Sequence, residues 1–223
     1  MADPTIQAGP GEVPSIAEED AAFYHQSAVN AAWTGARLAL GALTFIFGAF
    51  AFSYFYLRSV DSSGRWEGSG YHPPSMVTGT VIMLLVLASA GVHYGVLQRI
   101  KAGRKRAWQR GGAITLGLGL AAVGLQITQL ATLPFAPGSS GYSSVFTGFY
   151  PVFLTSQLAA GVWLESLLAR SRFIPEMSFV EQPPTHAEVY RVQRFQSSLS
   201  AFSTVWSYLA LMSLLFWLLF YVF

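Results

Sequence analysis

Five long apolar stretches divide the 223-residue chain, and short polar segments join them. A helix rises about 1.5 Å per residue, so about 20 residues are needed to cross about 30 Å of hydrocarbon. Each stretch exceeds that length, and none has the strict apolar–polar alternation of the strands in a membrane barrel. The pattern predicts an all-α, polytopic membrane protein with five transmembrane helices, at about residues 33–57, 76–98, 112–133, 145–168 and 199–223.

The segment before the first span, residues 1–32, has a different composition from the rest. Its first 20 residues hold three prolines and five acidic residues, a composition typical of a partly disordered tail. No basic region precedes an apolar one, so a cleavable signal peptide is not indicated. Ser15 and Glu18 have capping-box spacing, which favours a short interfacial helix starting there. The predicted organisation is an acidic tail, 1–32, followed by a transmembrane domain, 33–223.

The basic residues lie almost entirely on one side of the predicted spans. The loop between spans two and three, residues 99–110, has six basic residues and no acidic one, whereas the opposite side has only Arg58 and Arg65. The positive-inside rule therefore predicts a cytoplasmic N-terminus and a periplasmic or extracellular C-terminus. The same rule explains the basic loop without a nucleic-acid partner. Further basic residues follow span four: Arg170, Arg172, Arg191 and Arg194.

The composition excludes several kinds of functional site. Charged residues make up 11% of the chain, against about 25% in soluble domains. There is no cysteine, which excludes disulfides and cysteine-ligated iron–sulfur clusters. Of four histidines only His93 lies within a span, so no haem held by two histidines of this chain is expected. No Ser/His/Asp set, glycine-rich phosphate loop or pair of intramembrane carboxylates occurs, and we predict no catalytic residue, metal site or cofactor site.

Three ionisable residues, Arg37, His93 and Glu165, lie inside the spans at a similar depth, near the cytoplasmic side. Intramembrane charges tend to pair and to face inward. We predict a structural ion pair of Glu165 with Arg37 or His93, with a headgroup-binding or proton-entry role as the alternative.

Span three has two distinct faces. Small residues recur along one face, and polar residues occupy the other, so we expect both faces to be packed. We expect Gln126 and Gln129 to form interhelical hydrogen bonds worth about 1 kcal/mol each. The small residues are Ala113, Gly117, Ala121 and Gly124, and the predicted structural polar residues are Gln126, Gln129, Gln157 and Glu165.

Several stretches resemble a known family. They are residues 87–92, the basic loop up to Arg110, residues 116–120 with Gly124-Leu-Gln126, residues 142–149 with Phe146-Thr-Gly-Phe149, and Val205-Trp206. These resemble subunit III of haem–copper terminal oxidases, the cytochrome c oxidase subunit 3 family, in its five-helix bacterial form. The family's polar residues are not retained, since other residue types stand at those positions: Ala42, Gln129, Tyr150, Phe153, Ser200 and Ser203.

The resemblance implies a non-catalytic accessory subunit in the bacterial inner membrane. The haem and copper would be in subunit I, the direct partner, with subunit II and a larger respiratory supercomplex as further partners. It also implies two helices set apart from three others by a V-shaped cleft that holds phospholipids. We expect lipid contacts at Arg37, His93, Arg99 and Trp108 on the basis of their depth and chemistry.

Two alternatives stay open at this point. The first alternative is a free-standing transporter of a small solute or ion, with a polar path through Arg37, His93, Gln157 and Glu165. Within the oxidase interpretation, the electron donor is either cytochrome c or quinol, and the parent complex is either an oxidase or a relative resembling nitric-oxide reductase.

Overall fold

A computed structural model describes residues 16–68, 72–175 and 186–223. These ranges contain five α-helices and no strand. All five are long and apolar enough to cross a membrane, which is the architecture of a multi-pass membrane protein. The helices are α1 (Ile16–Ser59), α2 (Met76–Lys101), α3 (Lys105–Ala131), α4 (Gly141–Ser171) and α5 (His186–Tyr221).

Serine side chains cap two of the helices where the chain re-enters the bundle. The Ser75 hydroxyl accepts a hydrogen bond from the backbone N–H of Thr78 at the start of α2. Ser140 and Ser143 form a reciprocal capping box at the start of α4. Such caps satisfy N–H groups that have no partner within the helix.

The α1–α2 connection is fixed to the start of α4. The Asp61 carboxylate accepts hydrogen bonds from the backbone N–H groups of Arg65 and Trp66, at 2.8 and 3.0 Å. The Trp66 ring is buried edge-on against Tyr54 and Tyr142. The loop is therefore part of the packed structure.

Helices α2 to α5 form a ring in which α2 packs on α3, α3 on α4, α4 on α5, and α5 on α2. Helix α1 lies outside this ring and packs against α4 and α5. The arrangement of two helices apart from three, expected from the family resemblance, is therefore wrong. The helices do not divide into a pair and a trio, because α2 packs against both α3 and α5 and α1 packs against both α4 and α5.

Aromatic side chains fill the end of the bundle at which α4 begins and α5 ends. Phe149 of α4 stacks on Phe216 of α5 with ring centroids 3.9 Å apart, and Phe47 of α1 packs against both rings. The other end is called the basic end here, and its described basic residues are Arg99, Arg104, Lys105, Arg106, Arg110, Arg170, Arg172, Arg191 and Arg194.

The structure differs from the sequence prediction at two places. Helix α1 begins at Ile16, where the capping-box spacing predicted a helix start, but it runs without a break into the first span, so the prediction of a short, separate helix is wrong. Residues 1–15 lie outside the described ranges. The small residues Ala113, Gly117, Ala121 and Gly124 of α3 are exposed, and only the opposite face is packed within this chain. The prediction that both faces are packed is wrong for the chain by itself.

Candidate functional site

The buried polar side chains of the bundle bond to one another across helix pairs. Ser89 of α2 donates to the backbone oxygen of Thr115 in α3 at 2.8 Å. The Trp206 indole N–H of α5 in turn donates to the Ser89 hydroxyl at 3.2 Å. One serine thus joins three helices, and its position is supported by Gly119, where an added Cβ would lie 3.0 Å from the Trp206 ring.

His93 is buried one turn from Ser89, toward the basic end. Its Nε2 lies 2.7 Å from the Ser203 hydroxyl of α5, and its ring packs edge-on against Phe202. The Nδ1 atom has no hydrogen-bond partner in the described part of the chain.

Three glutamines hold α3 to its neighbours. The Gln126 side-chain N–H donates to the Gln157 side-chain oxygen of α4 at 2.7 Å. The Gln129 side-chain N–H donates to the Tyr221 hydroxyl of α5 at 2.7 Å. The Tyr221 hydroxyl also lies 3.4 Å from that of Tyr150. These bonds are interhelical, as the position of the glutamines on the polar face of α3 led us to expect.

The three intramembrane ionisable residues do not meet. Arg37 is exposed on α1 with its guanidinium 5.3 Å from the centre of the Trp33 ring. Glu165 is exposed on α4, and His93 is buried with Ser203. No ion pair joins the three, so the predicted pairing is wrong. Counting residues along the spans predicts a shared depth, but Arg37 and Glu165 lie on the surface whereas His93 lies in the interior.

The same geometry bears on the other predicted roles. His93 and Trp108 are buried, and the Trp108 ring packs edge-on against Phe195, so neither contacts lipid around the bundle. Arg37 and Arg99 are exposed on different helices. The four residues of the predicted transport path, Arg37, His93, Gln157 and Glu165, are likewise divided between the surface and the interior.

Two apolar grooves flank α1. A cleft of about 820 Å³ lies between α1 and α4, with Val205 of α5 at its base, and small residues such as Ala36 and Ala159 line it. A groove of about 390 Å³ lies on the other side of α1, against α5, and Tyr208 and Met212 are among its lining residues. Both grooves follow the sides of α1 along its contacts with α4 and α5.

A third cavity, of about 590 Å³, lies at the basic end between α4 and α5. Arg170, Arg191 and Arg194 line it together with Tyr190. Sequence reasoning treated these arginines as topology determinants only. The i, i+3 spacing of Arg191 and Arg194 indicates a shared helix face, but Arg170 joins them only through the fold. In the described ranges, no group of three His, Asp or Glu side chains is placed to bind a metal ion.

No protein-family model matches this chain, and no curated protein shows significant similarity to it.

Proposed function

We propose that this chain is a non-catalytic accessory subunit of a larger membrane complex, and specifically the subunit III of a respiratory haem–copper oxidase. The accessory role is supported by the small residues on the outer surface of α2 and α3. The oxidase assignment is supported by the sequence resemblance alone.

The observation that carries the accessory role is the outward placement of small residues on α2 and α3. A Cβ added at Gly91, Gly95, Gly117 or Gly124 would meet no atom within 4 Å. Small residues on a transmembrane helix allow another helix to approach closely and gain van der Waals contact, which drives association in lipid. Within the described residues no helix covers that face, so we assign its partner to another subunit.

The interior supports the same proposal. Its polar groups are joined in short interhelical bonds, such as Gln126 with Gln157 and Ser89 with Trp206. Stacked aromatic rings occupy the end opposite the basic end, around Phe149 and Phe216. The four residues of the transporter alternative do not line one common path, because Arg37 and Glu165 are exposed whereas His93 and Gln157 are buried.

The residues of the family resemblance also include packing residues of this bundle. Gly119 and Trp206 belong to two separate matched stretches, and they lie against each other. In this proposal the haem and copper belong to subunit I, and the basic end faces the cytoplasm of a bacterium under the positive-inside rule. Phospholipid in the α1–α4 cleft would complete the subunit.

The experiment is purification of the tagged chain from its native membrane in mild detergent. The proposal predicts haem absorbance, a large haem-bearing partner and oxygen consumption in the same fraction. A haem-free fraction that still contains a large partner would contradict the oxidase assignment and leave the accessory role. A monomeric chain without any partner would contradict both.

A matched glycine pair tests the interface. Gly117→Leu places a large side chain on the outward face of α3, and Gly41→Leu does the same on α1, where an added Cβ also meets nothing within 4 Å. We expect Gly117→Leu to reduce the co-purified partner severalfold at unchanged helix content, and Gly41→Leu to retain it. Retention of the partner in both variants, or equal loss in both, would contradict an interface on α2 and α3.

A further inference from the structure

The cavity between α4 and α5 has the chemistry of an anion site. Its rim holds three guanidinium groups, those of Arg170, Arg191 and Arg194. Its lining also includes the buried apolar side chains of Leu167, Ile174 and Phe195. A charged rim above an apolar floor distinguishes this cavity from the two apolar grooves beside α1.

The arginines come from two helices and converge on one space. Arg170 is in the last turn of α4, whereas Arg191 and Arg194 lie one turn apart near the start of α5. Guanidinium groups bind phosphate oxygens through paired N–H donors, which makes arginine the usual choice for phosphate recognition. The positive-inside rule explains why arginines lie at this end of the bundle, but it does not explain why three of them line one cavity.

The walls of the cavity are held in place by contacts outside it. The Lys105 ammonium group donates to the backbone oxygen of Ile174 at 2.6 Å and fixes the segment that follows α4. The Tyr190 ring packs on His25 of α1 at a centroid distance of 4.6 Å. Ser198 accepts a hydrogen bond from the Trp163 indole at 3.0 Å.

The acidic groups near the cavity are few. Glu188 precedes Arg191 by one turn and is not among the lining residues. Glu176 and Glu181 belong to the segment between α4 and α5, outside the described residues, and neutralisation by one of them is an outcome that the experiment distinguishes.

We propose that this cavity binds a phosphate group, with Arg170, Arg191 and Arg194 as its ligands. Two sources carry that chemistry, the headgroup of an anionic phospholipid and a soluble phosphate compound. The apolar floor and the position at the ends of membrane-spanning helices favour the phospholipid. The site is separate from the α1–α4 cleft and does not depend on the oxidase assignment.

The test uses the purified full chain in detergent and native mass spectrometry. The lipid arm compares dioleoyl phosphatidate with dioleoylglycerol, which has the same acyl chains and no phosphate. A basic residue near a lipid surface contributes about 1 kcal/mol to binding an anionic lipid. We therefore expect phosphatidate to bind roughly tenfold or more tightly than dioleoylglycerol. The soluble arm adds inorganic pyrophosphate to the lipid-free protein, and binding there as tight as that of phosphatidate would assign the site to a soluble phosphate.

The variant R170Q/R191Q/R194Q should lose the preference for phosphatidate. The matched control is R104Q/R106Q/R110Q, which removes the same charge from the other loop of the basic end and should keep it. The charge-preserving variant R170K/R191K/R194K should keep most of the preference. Helix content by circular dichroism monitors folding, and the single variants R191Q and R194Q replace the triple variant if it does not fold.

Three results would overturn the proposal. The first is equal binding of phosphatidate and dioleoylglycerol together with no binding of pyrophosphate, as expected if a carboxylate of the chain neutralises the arginines. The second is an unchanged phosphatidate preference in R170Q/R191Q/R194Q. The third is an equal loss in the control triple variant, which would indicate a diffuse positive field instead of a site.

Discussion

Gln126 of α3 and Gln157 of α4 face each other inside the bundle, and the amide of the first donates to the side-chain oxygen of the second at 2.7 Å. Both side chains are buried. Removing one partner leaves a buried amide with an unmade hydrogen bond, which costs more than the bond itself contributes.

We expect Gln126→Leu to lower the free energy of unfolding by about 1–2 kcal/mol for this reason. The double variant Gln126→Leu/Gln157→Leu should be destabilised by less than the sum of the two single variants, because no amide is then left without its partner. Equilibrium unfolding in mixed micelles of all four proteins gives the coupling energy. Strictly additive losses would mean that the two side chains do not interact.

The second prediction concerns the close approach of α2 and α3 near the basic end. A Cβ on Gly111 would overlap the branched side chain of Val96, whose Cβ would be 2.9 Å away. We expect Gly111→Ala to destabilise the bundle by about 1–3 kcal/mol through overpacking. Gly117→Ala is the control on the same helix, because nothing lies within 4 Å of its added methyl group. Equal thermal stability of the two variants would show that the helices do not approach this closely.

The third prediction concerns the loop between α1 and α2. Hydrogen bonds from backbone N–H groups, that of Trp66 first, hold the pKa of the Asp61 carboxyl below its usual value of 3.8. A lowered pKa in the folded state means that the carboxylate stabilises the loop above pH 3.8, and that this contribution is lost as pH falls through the lower, folded value. Amide hydrogen exchange at Trp66 should therefore accelerate at acid pH, relative to the intrinsic rate.

Asp61→Asn provides the control for that titration. Its single carbonyl oxygen accepts from fewer N–H groups than a carboxylate, so exchange at residues 65 and 66 should be faster at neutral pH and lose the acid-dependent step. An acid-dependent step that persists in Asp61→Asn would assign the titration to another group.

The fourth prediction concerns the end of α4. The Lys105 ammonium group donates to the backbone oxygens of Arg172 and Ile174, at 3.3 and 2.6 Å. A cation at a helix C-terminus also interacts favourably with the helix dipole. Lys105→Met should increase hydrogen exchange at residues 172–174 severalfold, whereas Arg106→Met, at an exposed neighbouring position, should not. Equal exchange in the two variants would show that the tether does not order the segment.

Much of the fold could be predicted from the chain because the bilayer imposes strict requirements on length and hydropathy. Each of the five predicted spans lies largely within one observed helix, and the polar side of α3 is the buried one, with Thr115, Gln126 and Gln129 inside. Polar residues in lipid need partners, so their position on a helix indicates the side that packs.

The rotation of the helices relative to one another could not be predicted in the same way. Arg37 and Glu165 are at similar depth, and depth follows from counting residues along a helix. Whether they meet depends on which helices are neighbours and which faces they present, and both residues prove to be exposed. The small face of α3 was misjudged for a related reason, since a glycine face indicates close packing without saying whether the partner belongs to the same chain.

The cavity lined by the three arginines could not be predicted from the sequence for the same reason. Arg170 and Arg191 are separated by a connection that contains several prolines. Their convergence depends on how the end of α4 lies beside the start of α5, which neither helix pattern specifies.

The position of α1 has a consequence for synthesis. Its principal neighbours, α4 and α5, leave the ribosome after α2 and α3, while the α2–α3 pair can form from adjacent segments. During translation α1 therefore lacks its native contacts until α4 and α5 follow, with Arg37 exposed and the aromatic cluster around Phe47 incomplete. At this stage of biogenesis a membrane chaperone or an early-arriving subunit would cover the largest exposed surface of α1.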